Sequence, residues 1–216
     1  MLEWAHCMFV AFEGIDGSGK SLQARLLYER LVSTGRKAIL TYEPSNGSIG
    51  NLLETAIKKD RNIDNTTLQL FFTADRAYHI LYTIKPALEN GIDVITDRYM
   101  FSTIAYGAAS GVNRTWLREI NSKFVLPDFT FVLDAKPETA IRRITSRALQ
   151  FASAEFRHGT ADREKRGNDL FETKRFLGKV RREYLALRRS YKGYYVIDSE
   201  DDPEAIETRI GKILNI

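Results

Sequence analysis

The sequence has 216 residues, a formal net charge of +4, 44% hydrophobic residues and a single cysteine, Cys7. This length fits one α/β domain with its own core, and no run approaches the ~20 apolar residues of a membrane-spanning helix. One cysteine excludes an intramolecular disulfide bond and a multi-cysteine metal site, and the first residues lack the pattern of a secretory signal, so we expect a cytoplasmic protein.

The first predicted elements are a strand, a glycine-rich loop and a helix. A short apolar run over residues 8–12 leads into a segment that matches G-x-x-x-x-G-K-[ST] in full, and leucines at helical spacing follow. Glycines let successive main-chain N–H groups turn inward to hold phosphate oxygens, while Lys20 can bridge the terminal phosphates and Ser21 can bind Mg²⁺. The predicted phosphate-binding residues are Gly14, Ile15, Asp16, Gly17, Ser18, Gly19, Lys20 and Ser21.

The rest of the chain alternates strands and helices. Further strands are predicted at residues 38–42, 92–96, 129–133 and 194–197. Helical patterns cover residues 49–57, 66–89 with a cap at Asn65 or Thr66, 103–109, 115–123, a segment opened by Pro137, residues 170–191 and a segment from Pro203. This alternation predicts a three-layer α/β fold with a five-stranded parallel sheet flanked by helices.

Ligands of such open sheets bind at the carboxyl ends of the strands. The polar residues that follow predicted strands there are Asp16, Glu43, Asp97, Arg98 and Asp198. Acidic groups and an arginine beside a phosphate-binding loop favour phosphoryl transfer over redox chemistry.

Positive charge is concentrated late in the chain. Residues 142–192 contain 15 Lys and Arg against 6 Asp and Glu. Such a block can bind nucleic acid or simply cover solvated helix faces, but beside a phosphate-binding loop we favour a basic lid that closes on phosphates. Helical periodicity is lost within this block, so we predict a mobile lid at about 149–168 within a single domain spanning 1–216.

Several motifs, in this order, resemble those of the thymidylate kinase family, which phosphorylates dTMP with ATP. The resemblance is to archaeal and bacterial members and runs from Met8 to about Ile206. The matching segments are residues 12–21, Glu43-Pro44, residues 70–76, Asp97-Arg98-Tyr99 with the later Ala105-Tyr106, and residues 127–134. It implies a P-loop nucleoside monophosphate kinase that uses Mg²⁺ with ATP, is a homodimer, and binds neither nucleic acid nor membrane.

The resemblance also implies roles in the acceptor pocket. Phe72 would stack on thymine, and Arg76 would hydrogen-bond its O4 edge. Asp16 would accept a hydrogen bond from the sugar 3′-OH, and Tyr106 would crowd a ribose 2′-OH. Glu43 and Tyr99 belong to the matching substrate-binding motifs.

Other implied roles concern the phosphates and the adenine. Arg98 would bridge the phosphates of both substrates, and Asp97 would hold Mg²⁺ together with Ser21. Arg143 resembles the arginine that lies over adenine, although Arg142 and Arg147 are close enough to compete. No general base is needed, because the acceptor is already a phosphate oxyanion.

Three positions depart from the family pattern. Tyr42 replaces the arginine of an Arg-Glu-Pro motif, Gly107 replaces a glutamine that many members have, and Leu170 replaces a catalytic arginine of the lid. The candidates to replace that lid arginine are Arg163 and Arg166, with Arg157 as a weaker one.

Rival interpretations remain open at this stage. A related kinase for another deoxynucleoside or nucleoside monophosphate fits the same fold, and the base preference between dTMP and dUMP is undetermined. A regulatory GTPase would need an Asn-Lys-x-Asp motif, which the sequence lacks. A nucleic-acid-binding ATPase would use residues 142–192, and its binding would depend steeply on salt concentration.

Overall fold

A computed structural model describes residues 7–59, 63–151 and 163–216 of the chain. The strands within these ranges are β1 (Phe9–Glu13), β2 (Ala38–Tyr42), β3 (Asp93–Asp97), β4 (Phe129–Asp134) and β5 (Tyr194–Asp198). All are parallel and form one sheet in the order β2-β3-β1-β4-β5. The predicted five-stranded parallel sheet is therefore confirmed for the part of the chain described.

Helices connect the strands and cover both faces of the sheet. They are α1 (Lys20–Ser33), α2 (Ser48–Lys59), α3 (Asn65–His79), α4 (Lys85–Glu89), α5 (Met100–Ala109), α6 (Arg114–Asn121), α7 (Pro137–Phe151), α8 (Arg163–Leu187) and α9 (Pro203–Leu214). In the ranges given above, no helix is long and apolar enough to cross a membrane.

The long helical stretch predicted over residues 66–89 is interrupted. A π-helical turn, Ile80–Ile84, lies between α3 and α4. Pro86 is the second residue after this turn, and proline has no N–H to donate to the carbonyl group four residues earlier, which favours a local change of helix type.

The predicted cap of this helix at Asn65 or Thr66 is wrong. Asp64 is the N-cap, and its side chain accepts hydrogen bonds from the main-chain N–H groups of Thr66 at 2.9 Å and Thr67 at 3.0 Å. Asp64 has an extended backbone, which directs its carboxylate at these otherwise unpaired donors, whereas Asn65 is already the first helical residue.

Helix α8 starts earlier than the sequence predicts. The pattern places its beginning at Leu170, whereas the helix begins at Arg163, and α7 extends to Phe151. Both helices therefore reach into the segment that we expect to form the lid, and residues 152–162 lie outside the described residues.

The core occupies both faces of the sheet. All five residues of β1 are buried, as expected for the central strand. Phe9 and Ala11 pack on one face, in a cluster with residues of α5 and α8, and Val10 and Phe12 pack on the other, with residues of α1 and α9. Burying a side chain as large as phenylalanine stabilises the fold by about 1.5–3 kcal/mol. The burial of β1 therefore fixes the position at which the following loop begins.

The sheet register brings three strand ends together. Phe12 is the partner of Asp97 in β3, and the main-chain N–H of Arg98 donates to the carbonyl oxygen of Phe12 at 2.8 Å. The N–H of Glu43, directly after β2, donates to the carbonyl oxygen of Asp97 at 3.0 Å. The loops that follow β1, β2 and β3 consequently meet at one edge of the sheet.

Candidate active site

The loop between β1 and α1 passes unusually close to neighbouring backbone. Gly17 has a φ of +80°, and a Cβ atom there would lie 2.4 Å from the carbonyl oxygen of Ala140. A Cβ atom on Gly14 would lie 2.6 Å from the carbonyl oxygen of Leu133. Only glycine fits these two positions, and the loop leads directly into the N-terminus of α1, where main-chain N–H groups and the helix dipole favour an anion.

Lys20 lies at the start of α1 and is 6% exposed. Its Nζ donates to the carbonyl oxygen of Ile15 at 2.9 Å, which holds the side chain along the loop. Burial, reinforced by the nearby charge of Arg98, lowers the pKa of Lys20 to about 8. The protonated form of Lys20 is therefore disfavoured in the free protein, and an anion bound next to it would stabilise this form.

A cavity of about 1150 Å³ opens in front of this loop, and we call it the donor cavity. The residues that line it are Asp16, Gly17, Gly19, Lys20, Ser21, Leu22, Arg25, Asp97, Arg98, Arg142, Arg143, Ile144 and Ser146. Arg143 also donates from Nη2 to the carbonyl oxygen of Ser199 at 2.9 Å, which ties it to the loop after β5. Arg142 lines the same cavity, and the side chain of Arg147 lies outside the described residues.

Ser21 and Asp97 meet in the donor cavity. The hydroxyl group of Ser21 donates to Oδ2 of Asp97. The other carboxylate oxygen of Asp97, Oδ1, is buried and has no hydrogen-bond partner among the residues that the structure covers. A hydroxyl group and a carboxylate with a spare oxygen suit Mg²⁺, which usually binds through one or two protein oxygens, phosphates and water. The described residues contain no cluster of three or more His, Cys, Asp or Glu that could hold a metal ion by itself.

A second cavity, of about 390 Å³, lies beside the first, and we call it the acceptor cavity. All seven predicted acceptor-binding residues line it: Asp16, Glu43, Phe72, Arg76, Arg98, Tyr99 and Tyr106. Its wall also contains Gln69, Ser102, Thr103 and Phe176. Asp16 and Arg98 line both cavities, so the two spaces share these two side chains.

Arg98 stands between the cavities in a constrained conformation. Its φ is +72°, which is uncommon for a residue other than glycine. Its guanidinium group pairs with Asp16, donates from Nη1 to Oγ of Ser102 at 3.0 Å, and lies 5.2 Å from the ring centroid of Tyr106. Burial opposes the charge of this guanidinium, but Tyr106 and Asp16 raise its pKa, so Arg98 stays positively charged.

Asp16 and Tyr106 are paired in the wall of the acceptor cavity. The main-chain N–H of Asp16 donates to the phenolic oxygen of Tyr106 at 3.1 Å, and that phenol donates to Oδ2 of Asp16 at 3.2 Å. Burial opposes ionisation of the Asp16 carboxyl group, but Arg98 and Lys20 lower its pKa, so it is an acceptor. Burial raises the pKa of Tyr106 to about 12, so the phenol keeps its proton.

Arg76 is 1% exposed, so the arginine predicted to contact the base is almost fully buried. Its Nη1 donates to Oδ1 of Asn121 at 2.6 Å, and its Nη2 donates to Oε2 of Glu43 at 2.6 Å and to Oγ1 of Thr103 at 3.1 Å. Nε remains buried without a hydrogen-bond partner in the described ranges. Among the described residues, Nε and the second N–H of Nη1 are therefore the donors of Arg76 that no hydrogen bond occupies.

Glu43 and Tyr99 line the acceptor cavity mainly as supports. Besides Arg76, Glu43 contacts Nδ1 of the buried His79 at 3.2 Å. Tyr99 is fully buried and donates from its phenol to the carbonyl oxygen of Val125 at 2.9 Å, away from the cavity. These contacts fix the orientation of Arg76, because its guanidinium also lies over the ring of Tyr99.

Sequence reasoning missed a buried carboxylate behind Arg98. Glu13 is fully buried at the end of β1 and accepts hydrogen bonds from Ser102, Tyr99 and Tyr184. Burial raises its pKa, and the hydrogen bonds from Ser102 oppose that rise. The sequence does contain a signal for this residue: Glu13 is a charged residue at the end of an apolar strand, and a charge that is buried there needs a partner.

The sequence predicts other arginines in place of the one that the family pattern has at Leu170. Arg163 and Arg166 belong to the first turns of α8, but their side chains, like that of Leu170, lie outside the described residues, as does the whole of Arg157. Tyr42 is half exposed and lines a groove beside the donor cavity together with Arg25. Arg25 also lines the donor cavity, so it is a cation near the position where the family pattern has its arginine.

Some cations of the basic block, residues 142–192, form ion pairs with carboxylates of the same chain. Arg181 forms a two-point ion pair with Asp134, with distances of 2.5 and 2.8 Å. Lys174 pairs with Glu138 at 2.7 Å. Both acidic residues lie at the carboxyl end of β4 or the start of α7, so these cations hold α8 against that edge of the sheet.

Comparisons with known proteins agree on one family. The family model described as thymidylate kinase matches residues 12–210. A probable thymidylate kinase from Methanocaldococcus jannaschii is 37% identical over 89% of this chain and 87% of its own length. One from Thermococcus kodakarensis is 36% identical over 94% of this chain and 95% of its own. The crystal structure of thymidylate kinase from Ehrlichia chaffeensis has a TM-score of 0.73 and 26% identity, and it covers 96% of this chain and 98% of that one.

Proposed function

Since the chain belongs to the thymidylate kinase family, we propose that it transfers the γ-phosphoryl group of ATP to the 5′-phosphate of dTMP and gives dTDP. The observation that carries this proposal is the sharing of Arg98 by the two cavities. Phosphates that enter from the donor cavity and from the acceptor cavity would meet at one guanidinium group. A kinase whose acceptor is itself a phosphate needs such a bridging cation.

Charge stabilisation is the main task of the protein in this reaction. Lys20 and the N–H groups of the glycine-rich loop would hold the β- and γ-phosphates of ATP. Arg98 would neutralise charge on the group in transfer, and its forked guanidinium can contact oxygens of both substrates. The attacking atom is an oxyanion of the acceptor phosphate, so the mechanism requires no proton abstraction.

Ser21 and Asp97 would hold the Mg²⁺ ion that accompanies ATP. Oδ1 of Asp97 is buried and has no partner among the described residues, which supports this assignment, because such a carboxylate oxygen lacks a compensating contact. When bound, the ion supplies positive charge next to the transferring phosphoryl group.

The acceptor cavity would hold the thymine and the deoxyribose. The half-buried ring of Phe72 offers a stacking surface, and Nε of Arg76 offers a donor for an oxo group of the base. Asp16, held ionised by Arg98, would accept from the sugar 3′-OH. Tyr106, fixed by its hydrogen bonds to Asp16, would leave little room for a 2′-OH.

Other cations would act on the donor nucleotide. Arg143, held by the carbonyl oxygen of Ser199, would lie over the adenine, with Arg142 as a neighbour in the same cavity. Arg163 or Arg166, in a basic lid over about 149–168, would reach the γ-phosphate and replace the arginine absent at Leu170. The ion pairs that part of the basic block makes within the chain support a lid rather than a nucleic-acid surface.

The protein would act as a cytoplasmic homodimer. Helices α2 and α3 pack together, and with the π-helical turn they carry large exposed apolar side chains: Leu52, Ile57, Leu70, Leu81 and Tyr82. A second copy of the chain would bury this surface. Light scattering at micromolar protein should give twice the chain mass, and Leu81→Glu with Tyr82→Glu should reduce it to the monomer.

The test of the proposed activity is formation of dTDP from dTMP, ATP and Mg²⁺, followed by chromatography of the nucleotides. Lys20→Ala should lower kcat by orders of magnitude while the thermal unfolding temperature stays near that of the wild type. Lys37→Ala is the matched control, because Lys37 is an exposed lysine at the opposite end of the sheet, just before β2. Wild-type turnover in Lys20→Ala, or no dTDP from the unmodified protein, would refute the proposal.

A further inference from the structure

Helix α8 and the turn after it carry a large excess of positive charge outside the proposed lid. Residues 173–192 contain eight Lys and Arg and one acidic residue. Two of these cations, Lys174 and Arg181, pair with carboxylates of α7 and β4. The other six form no ion pair with any residue that the structure describes. Neither the proposed transfer reaction nor the packing of α8 explains them.

Half of the eight cations line one groove, of about 440 Å³, between α8 and the start of α7, and we call it the outer groove. The described residues that line it are Pro137, Lys174, Arg175, Gly178, Lys179 and Arg182. Pro137 and Gly178 have no polar side chain, so the four cations provide all the side-chain polar groups of this lining. The groove therefore presents hydrogen-bond donors and positive charge, and an anion is the ligand that suits it.

The outer groove is separate from the two substrate cavities. It shares no lining residue with the donor cavity or with the acceptor cavity. Its residues lie on the face of α8 opposite to Leu177, Val180 and Tyr184, which are buried in the core. A ligand in the outer groove would therefore be additional to the two nucleotides of the reaction.

Arg175, Lys179 and Arg182 are neighbours on the surface of α8, because they follow each other at intervals of four and three residues. All three side chains are exposed. Like charges at this spacing repel each other and destabilise a helix. A multivalent anion in the groove would remove this repulsion, so its binding would stabilise α8.

The length and composition of the groove narrow the choice of anion. From Lys174 to Arg182 the helix rises about 12 Å, so the cations are spread along a line and suit a short chain of charges better than a single carboxylate. Guanidinium groups can contact two phosphate oxygens at once. No aromatic ring is among the described lining residues, so the groove offers no stacking surface for the bases of a nucleic acid.

We propose that the outer groove is a second anion-binding site, which binds a short polyphosphate chain through Arg175, Lys179 and Arg182. The chain can be inorganic triphosphate or the phosphate tail of a nucleotide, because both present the same oxygens to the groove. Lys174 shares its charge with Glu138 and contributes less. This site does not depend on the proposed dTMP kinase activity.

The test is calorimetric titration of the protein with inorganic triphosphate. The unmodified protein should bind it at two sites per chain, one at the glycine-rich loop, which Lys20→Ala weakens, and one in the outer groove. The groove variant combines Arg175→Ser, Lys179→Ser and Arg182→Ser. It should weaken the second site by about tenfold or more, because each lost cation removes a charge-assisted hydrogen bond. Its thermal unfolding temperature should not fall, since the three side chains are exposed.

The matched control combines Arg188→Ser, Arg189→Ser and Lys192→Ser. It removes the same three charges from exposed positions just after α8, outside the outer groove. This variant should keep both sites. An equal loss of affinity in the two triple variants would mean that only the net charge of the chain attracts the anion, and it would overturn the proposal.

A second titration, with ATP, identifies the source of the phosphate chain. Similar losses for ATP and for inorganic triphosphate in the groove variant would show that the groove contacts phosphates alone, and a larger loss for ATP would show that it also contacts the nucleoside. Two results would overturn the proposal. One is unchanged triphosphate binding in the folded groove variant. The other is tighter binding of single-stranded oligothymidylate than of triphosphate, weakened in both triple variants, because the surface would then be a nucleic-acid site.

Discussion

Glu13 and Arg98 are joined through a single hydroxyl group, that of Ser102, which donates to Oε2 of Glu13 at 2.6 Å and accepts from Nη1 of Arg98 at 3.0 Å. The main-chain N–H groups of Tyr99 and Ser102 donate to Oε1 of Glu13, both at 3.0 Å. One buried carboxylate thus holds the backbone just after Arg98 and the hydroxyl group that orients its side chain. Glu13 is a positioning residue, because it acts on the phosphates only through Arg98.

Glu13→Gln should lower kcat by about tenfold to 100-fold, as expected for a displaced cation in a phosphoryl-transfer site. The variant keeps the size of the side chain, but its NH₂ group would face the hydroxyl groups of Ser102 and Tyr184, which both donate to Glu13. Steady-state kinetics should show a larger change in kcat than in KM for ATP. Tyr184→Phe, which removes only one donor, should be milder; normal kcat in folded Glu13→Gln would contradict the role.

The pKa of Lys20 gives a prediction for pH dependence. Burial and Arg98 lower this pKa to about 8, so Lys20 loses its charge as the pH rises through that value in the free protein. Because kcat/KM for ATP reports the ionisation of the free enzyme, it should fall with rising pH around 8. Lys20→Arg should move this decline to higher pH, even if its activity is lower. A profile that stays flat through this range would show that the charge of Lys20 does not govern ATP capture.

Tyr106 allows the hydrogen bond and the bulk of one side chain to be separated. Tyr106→Phe removes the phenol that pairs with Asp16 and keeps the ring, so KM for dTMP should rise about threefold to tenfold while the preference for deoxyribose is kept. Tyr106→Ala should weaken the preference for dTMP over 5-methyluridine monophosphate. An unchanged ratio in Tyr106→Ala would remove the steric role.

The lid prediction depends on charge near the start of α8. Arg163→Ala or Arg166→Ala should lower kcat with little change in dTMP affinity, and one of the two should dominate, because arginines supplied to phosphoryl transfer contribute about 10³-fold or more. Lys165→Ala should matter less, since an ammonium group cannot contact two phosphate oxygens as a guanidinium does. Wild-type kcat in the double arginine variant would leave Arg98 and Lys20 as the main catalytic cations.

Local patterns in the sequence predict the parts of the site that depend on main-chain geometry. The glycine-rich loop, the five parallel strands and the strand ends at Asp97 and Glu43 follow from motif, period and alternation, and the structure has them at one edge of the sheet. The residues that line the acceptor cavity follow from the family resemblance, since no periodic pattern places Phe72 and Tyr106 in the wall of one cavity.

Other features depend on contacts between distant parts of the chain. Glu13 and Tyr184 are 171 residues apart, and their hydrogen bond has no local signature. The deep burial of Arg76 follows from Asn121 on another helix, and the position of Gln69 follows from the missing side chain at Gly107. The interruption of the helix by Pro86 and the cap at Asp64 were visible in the sequence, but neighbouring residues offered competing choices.

The central claim is tested most directly by an ADP-release assay over a panel of nucleosides and nucleoside monophosphates, with ATP and Mg²⁺ at saturation. In the proposed mechanism the acceptor is a phosphate that meets ATP at Arg98, so we expect the highest kcat/KM for dTMP and lower values for dCMP and for ribonucleotides. We expect no turnover of thymidine, because the proposed mechanism has no general base next to a 5′-OH. Faster turnover of thymidine than of dTMP would contradict the claim. So would a monophosphate other than dTMP or dUMP that is turned over faster than both of these.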